Sequence, residues 1–125
     1  MSAKYRAAII GHTGRGDYGH GLDRVYADMP EVEVVAVADP DAEGLAAVGE
    51  RIGVERRYAD YREMLEKEEV ELVNVCPRVV TPHAEMVIAA AESGARGIFC
   101  EKPLAASLAE ADAMLAACEQ QNVKV

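Results

Sequence analysis

The sequence predicts an α/β protein: a parallel sheet with helices on both faces. Three observations predict it. Short apolar, β-branched runs alternate with amphipathic segments along the whole chain. The runs are continuously apolar rather than alternating, as strands covered on both faces must be. The first run, Tyr5 to Ile10, breaks into the glycine-rich stretch Gly11-His12-Thr13-Gly14-Arg15-Gly16-Asp17-Tyr18-Gly19-His20, the position at which such sheets hold phosphate.

Taken in order, Tyr5 to Ile10 is a buried strand. Gly19 to Asp28 carries Leu22, Val25 and Tyr26 at helical spacing, and Met29-Pro30 predicts its end. Val32, Val34, Val35 and Val37 form a second strand, stopped by Asp39-Pro40. Asp41 to Arg51 is a helix with Leu45, Val48 and Ile52 on one face, and Gly53 stands where a C-terminal cap belongs. Arg56 to Tyr58 is a short strand. Asp60 caps a helix over Tyr61 to Lys67, with Glu63 at the capping-box position. Val70 to Cys76 is the next strand, and Pro77 to Pro82 a loop, with Pro82 placed to open the helix His83 to Ser93. Ala95 to Cys100 is a strand and Glu101-Lys102-Pro103 a loop. Ser107 caps a helix to Gln120 with Glu110 three residues on, and Asn122 to Val125 reads as the opening of a partial sixth strand. Right-handed crossovers assemble these strands into one parallel sheet.

A chain of 125 residues is one domain by length, and residues 1–125 carry no internal linker or repeat. Such a domain buries roughly two-thirds of its unfolded surface, enough for a core without metal or disulfide staples. The net charge of −9 argues against nucleic acid or an anionic membrane as partner, because no basic patch compensates the phosphates. No apolar run approaches membrane-spanning length, and no signal-peptide pattern precedes Lys4. Cys76, Cys100 and Cys118 are widely spaced and odd in number. That is no metal pattern, and it fits a reducing compartment, so the cytoplasm is the expected location.

Open parallel sheets bind ligands at the carboxyl ends of their strands. Four loops lie there. The first contains Gly14-Arg15-Gly16-Asp17-Tyr18-Gly19, a literal G-x-G-x-x-G between a strand and a predicted helix. Either Gly11 or Gly14 starts the phosphate turn; a tight turn without ligand is the bland alternative. Asp39, twenty residues after Gly19, stands where a carboxylate accepts from the adenosine ribose hydroxyls. A carboxylate there repels a 2′-phosphate, so NAD is favoured over NADP; otherwise Asp39-Pro40 simply closes a strand. The third loop ends in His83, alternatively a solvated residue at a helix start. The fourth presents Lys102, which can donate to a substrate oxygen or serve in proton transfer, though most lysines are merely exposed. His12 and His20 flank the glycines; either phosphate contact or capping suits them. The cysteines read as small core residues, and Glu66-Lys67-Glu68-Glu69 as a solvated helix end.

Together the glycine turn after Ala8-Ile9-Ile10, Val37-Ala38-Asp39-Pro40, Asn74-Val75-Cys76-Pro77 with His83-Ala84-Glu85-Met86, and Cys100-Glu101-Lys102-Pro103-Leu104 resemble the N-terminal half of the Gfo/Idh/MocA family of NAD(P)-dependent oxidoreductases. The Glu-Lys-Pro element is the most specific, and the resemblance covers nearly the whole chain. It implies a Rossmann domain, a doubly wound parallel sheet with strand order 3-2-1-4-5-6. It puts the pyrophosphate at Gly11, His12, Thr13, Gly14, Arg15 and Gly16, and the adenosine ribose at Asp39. Pro77 and His83 would lie near the nicotinamide, with Glu101 and Lys102 beside it, and Lys102 would be the catalytic lysine. The glycine turn departs from the family's usual spacing, and His83 lies six residues after Pro77, a longer interval than usual there.

Family members also carry a second α/β domain that builds the substrate site. These residues are expected to lack it, and therefore to bind a dinucleotide without turnover, since hydride transfer needs the substrate held in place. The competing expectation is a ligand-free module whose uncovered surface and open strand edge recruit a second copy, as a homodimer formed by strand addition or a swapped end.

Overall fold

A computed structural model describes residues 4–125. Its elements are β1 (Tyr5–Ile10), β2 (Val32–Ala38), α1 (Ala42–Ile52), β3 (Arg56–Tyr58), α2 (Tyr61–Lys67), β4 (Leu72–Val75), α3 (His83–Glu92), β5 (Gly97–Cys100) and α4 (Leu108–Gln120). The strands form one parallel sheet in the order β3-β2-β1-β4-β5. The chain winds outward from β1 to β3, then crosses back to β4 on the other side of β1. The crevice between β1 and β4 is thus the topological switch point, where such sheets bind ligands.

Each face of the sheet has its own core. On one face Ala8 and Ile10 of β1 and Val73 and Val75 of β4 pack against Met64 of α2, Met86 and Val87 of α3, and Met114 and Cys118 of α4. On the other, Ile9 and Val37 pack against Val48 of α1 and against Tyr18 and Leu22. The alternation along β1 sends neighbours to opposite cores. This is why Ala7 to Ile10 are all apolar.

Capping residues act as their chemistry dictates. The Asp41 carboxylate accepts from the Gly44 N–H, Asp60 from Arg62 N–H, and the Ser107 hydroxyl from Glu110 N–H. Gly53 closes α1 in the left-handed region at φ 70°.

Three expectations need correction. The amphipathic segment from Gly19 to Asp28 is a series of turns, not a helix. Gly19 and Gly21 sit at φ 63° and 83°, outside helical space, and successive i to i+3 bonds replace the helical ladder: Gly21 to Arg24, Arg24 to Ala27, Tyr26 to Met29. The apolar spacing is real, since Leu22 and Tyr26 reach the core, but spacing alone does not set the backbone. Pro82 is the residue before α3 rather than its first, and caps nothing with its side chain. The expected partial sixth strand is present as one parallel bridge, Gly97 to Lys124, beside β5. Within the acidic run Glu66–Glu69, Glu68 is buried rather than solvated; it meets Arg56 at 3.0 Å and Arg6 at 3.6 Å, and accepts from the Tyr58 hydroxyl.

Candidate functional site

The loops after β1, β2, β4 and β5 converge at the carboxyl end of the sheet. After β1 the chain makes a tiny hairpin. His12 and Asp17 exchange main-chain hydrogen bonds of 3.2 and 3.0 Å, leaving Thr13-Gly14-Arg15-Gly16 as its tip. The Asp17 carboxylate accepts from Gly14 N–H at 3.0 Å. Gly14 and Arg15 are exposed, and a side chain at Gly14 would meet nothing within 4 Å. The tip is therefore open at Gly14 and Arg15, while Gly16 lies against the Arg78 and Val79 amides.

Asp39, at the end of β2, is fully buried. Its carboxylate accepts from Thr13 N–H at 3.1 Å, the Thr13 hydroxyl at 2.6 Å, the Tyr18 hydroxyl at 2.8 Å and Asp41 N–H at 2.9 Å. It thus ties the glycine hairpin to β2. Tyr18 lies flat against Gly11, where any Cβ would collide with its ring. Burial, with the Asp39 carboxylate next, raises the Tyr18 phenol above its ordinary range; it stays a donor. Arg51 stacks over the same ring at 5.3 Å and pairs with the buried Asp23 at 2.8 Å.

The loop after β4 is joined to this hairpin. Arg78 N–H donates to Gly16 O at 3.0 Å, and its guanidinium lies 3.8 Å from the Asp17 carboxylate. Pro77 is buried. His83, fully buried at the start of α3, points one ring nitrogen at the Pro77 carbonyl. The other lies 2.9 Å from the Pro103 carbonyl and 3.3 Å from that of Leu104. The ring therefore braces the loops after β4 and β5 against each other.

Glu101, at the end of β5, is buried and points at the glycine stretch. It accepts from His20 N–H at 2.7 Å and from Lys102 N–H at 2.9 Å, and pairs with the His20 ring at 2.8 Å. Burial alone would raise its carboxyl. The hydrogen bonds from the His20 ring and the two main-chain amides outweigh burial, and the net shift is downward. Gly19 admits this contact, because a Cβ there would meet the carboxylate and the Cys76 carbonyl. Lys102 is exposed, its side chain pairs with no carboxylate among the described residues, and the Lys102–Pro103 peptide is cis.

A mainly apolar cavity of about 360 Å³ opens beside this assembly, lined by Ile10, Gly11, His12, Pro40, Tyr61, Pro82 and Met86 among others. The Tyr61 hydroxyl there is buried with no protein partner. The apolar lining at the strand ends suits an aromatic group. The free hairpin tip, with Arg15 on it and Arg78 nearby, suits an anion next to it. Cys76 and Cys100 are unsuited to nucleophilic chemistry: burial raises both thiols, that of Cys100 to about 12.

Residue spacing thus brings Gly11, His12, Thr13, Gly14, Arg15, Gly16, Asp39, Pro77, His83, Glu101 and Lys102 to one end of the sheet. It did not reveal that Asp39 and His83 face inward. Nor did it single out Tyr18, Tyr61 and Arg78. An aromatic residue amid glycines was the only signal for Tyr18; nothing marked the other two.

A parallel sheet with a glycine hairpin after its first strand and a cavity at the carboxyl ends of β1 and β2 defines a nucleotide-binding α/β domain. The model of the oxidoreductase family with an NAD-binding Rossmann fold matches residues 5–125, and the chain belongs to that Gfo/Idh/MocA family. It is 36% identical over 120 residues to D-apiose dehydrogenase of Paraburkholderia graminis, covering 96% of this chain and 31% of that protein. It is 38% identical over 114 residues to myo-inositol 2-dehydrogenase of Thermotoga maritima, covering 91% of this chain and 34% of that one. The chain thus spans about a third of the length of these relatives. Among solved structures, an Agrobacterium radiobacter oxidoreductase in complex with NAD+, L-tartaric acid and magnesium superposes with a TM-score of 0.85. It is 28% identical over 97% of this chain and 34% of that one.

Proposed function

We propose that residues 1–125 are the cofactor-holding part of a Gfo/Idh/MocA dehydrogenase and bind NAD without turning over a substrate by themselves. The cavity at the carboxyl ends of β1 and β2, closed by the starts of α2 and α3, carries this reading. Its apolar walls, with Pro40, Tyr61 and Met86, take the adenosine end. Gly11, His12, Thr13, Gly14, Arg15 and Gly16 take the pyrophosphate, with Arg78 supplying positive charge from the facing loop. Asp39 serves by shaping this loop, and its carboxylate keeps the local field unfavourable to a 2′-phosphate. NAD supplies a hydride acceptor. Pro77, His83, Glu101 and Lys102 define the nicotinamide side, where Lys102 is the group free to donate a proton or hydrogen bond to a substrate oxygen.

Titration of the chain with NAD+ and NADP+ by calorimetry tests this. Saturable binding of NAD+, at least ten-fold tighter than NADP+, is expected. Failure of both to bind at millimolar concentration overturns the reading.

A second reading concerns assembly. Among the described residues, the segment after α4 pairs with β5 through one bridge at Lys124, beside exposed Phe99 and Val125. Strand edges and apolar patches of this kind recruit partners. A homodimer, by strand addition or exchange of the terminal segment, is expected as a concentration-dependent shift in light scattering on a size column. A strictly monomeric peak across a hundred-fold concentration range removes it. The three cysteines are all free, in keeping with a reducing compartment such as the cytoplasm.

A further inference from the structure

Glu101 lies between two groups the functional reading assigns to different tasks. One carboxylate oxygen takes the Lys102 N–H at 2.9 Å. The other takes the His20 N–H at 2.7 Å and faces the His20 ring at 2.8 Å. It is buried, with 5% of its side chain accessible, while 58% of the His20 side chain is accessible. The contact is built rather than incidental. Gly19 is the residue that lets the carboxylate close on the chain, since a Cβ there would occupy the place of the Glu101 carboxylate. A buried carboxylate that receives three donors has few other orientations available.

From this arrangement we infer that Glu101 and His20 are positioning residues that fix Lys102 relative to the glycine stretch. The inference rests on the reading of Lys102 and of the glycine hairpin given above. The His20 N–H and ring belong to the segment that follows the hairpin tip. A displacement of that segment on cofactor binding therefore reaches the Glu101 carboxylate directly, and through it the Lys102 amide. His83 holds the opposite side of the same loop through the Pro103 and Leu104 carbonyls. Lys102 is thereby held from both neighbours while its own side chain stays exposed. Orientation of this kind is what an exposed, flexible lysine needs before it can meet a reacting oxygen in fixed geometry.

The test uses the whole 125-residue chain, labelled with 15N, with His20→Ala and His20→Gln. His20 is largely exposed, so both substitutions leave the fold intact, and the glutamine retains a donor able to reach Glu101. In the cofactor-free protein, the Lys102 amide is expected to exchange with solvent at least five-fold faster in His20→Ala than in wild type, and near the wild-type rate in His20→Gln. On titration with NAD+, the Lys102 amide shift in His20→Ala is expected to fall to less than half of its wild-type size. The shifts at Gly14 and Gly16, and the affinity within three-fold, are expected to be retained. A purely structural role would alter melting temperature without this selective loss and rescue. Unchanged exchange and an unchanged Lys102 shift in His20→Ala overturn the inference while leaving the cofactor reading in place. If the wild-type glycine amides do not respond to NAD+, the cofactor reading fails, and the exchange arm alone decides whether His20 positions Lys102.

Discussion

Asp39 illustrates how a residue's place in the chain can be legible while its surroundings are not. Its place after β2 follows from the sequence, but four donors converge on its carboxylate, two of them hydroxyls and two main-chain amides. Asp39→Ala leaves those donors without a charged acceptor in a dry site, and each buried unsatisfied group costs about 1–3 kcal/mol. Urea unfolding is expected to show a loss of about 3 kcal/mol or more. Asp39→Asn is expected to cost only about 1–2 kcal/mol, because the Thr13 and Tyr18 hydroxyls can turn and accept from the amide. A cost under about 0.5 kcal/mol for the alanine variant would show that the carboxylate does not organise the hairpin. His83 is a similar case: its position at a helix start suggested solvent, whereas its ring is enclosed by three carbonyls from two loops. Two of these contacts join residues about 20 positions apart, and no local pattern records them.

At the scale of elements, the sequence was informative wherever burial on both faces demanded apolar side chains. All five strands and four of the five expected helices lie where their periodicity placed them. Their caps at Asp41, Asp60 and Ser107 act through the residues whose chemistry suited the task. The strand ends were overdrawn: Val70 and Ala95 are buried outside β4 and β5, since burial does not require ladder pairing. The first crossover failed for a definable reason. Leu22 and Tyr26 have helical spacing and do reach the core. Two glycines in left-handed geometry before them interrupt the backbone, and turns reproduce the spacing of a helix closely enough to bury the same face. The glycines themselves were legible. Less legible was that they serve contacts with Tyr18 and Glu101 as well as a turn, because those partners come from elsewhere in the chain.

For the whole molecule, the pH range of stability follows from how the loops are joined. The folded protein holds the Glu101 carboxyl below its ordinary value, since burial, which would raise it, is outweighed by donors from His20 and Lys102. A lowered folded value means that the ionised form favours the fold. Its contribution is complete above the unfolded value of about 4.3 and is lost as pH falls through the folded value. Tyr18 and Cys76 act with the opposite sign, as burial raises both. They hold their protons in the fold, so stability is lost on the alkaline side as the unfolded thiol and phenol ionise, from about pH 8.5 upward. Stability is therefore expected to form a plateau between about pH 5 and 8, with losses on both sides. Glu101→Gln removes the group responsible for part of the acid limb. Melting temperatures measured from pH 3 to 10 should show the variant below wild type on the plateau, with the gap narrowing below about pH 4.5 and unchanged on the alkaline limb. Parallel acid limbs would mean that the carboxylate does not join the loops after β1 and β5 through its charge. A gap that narrows on the acid side alone locates that joining at Glu101, where the glycine stretch meets Lys102.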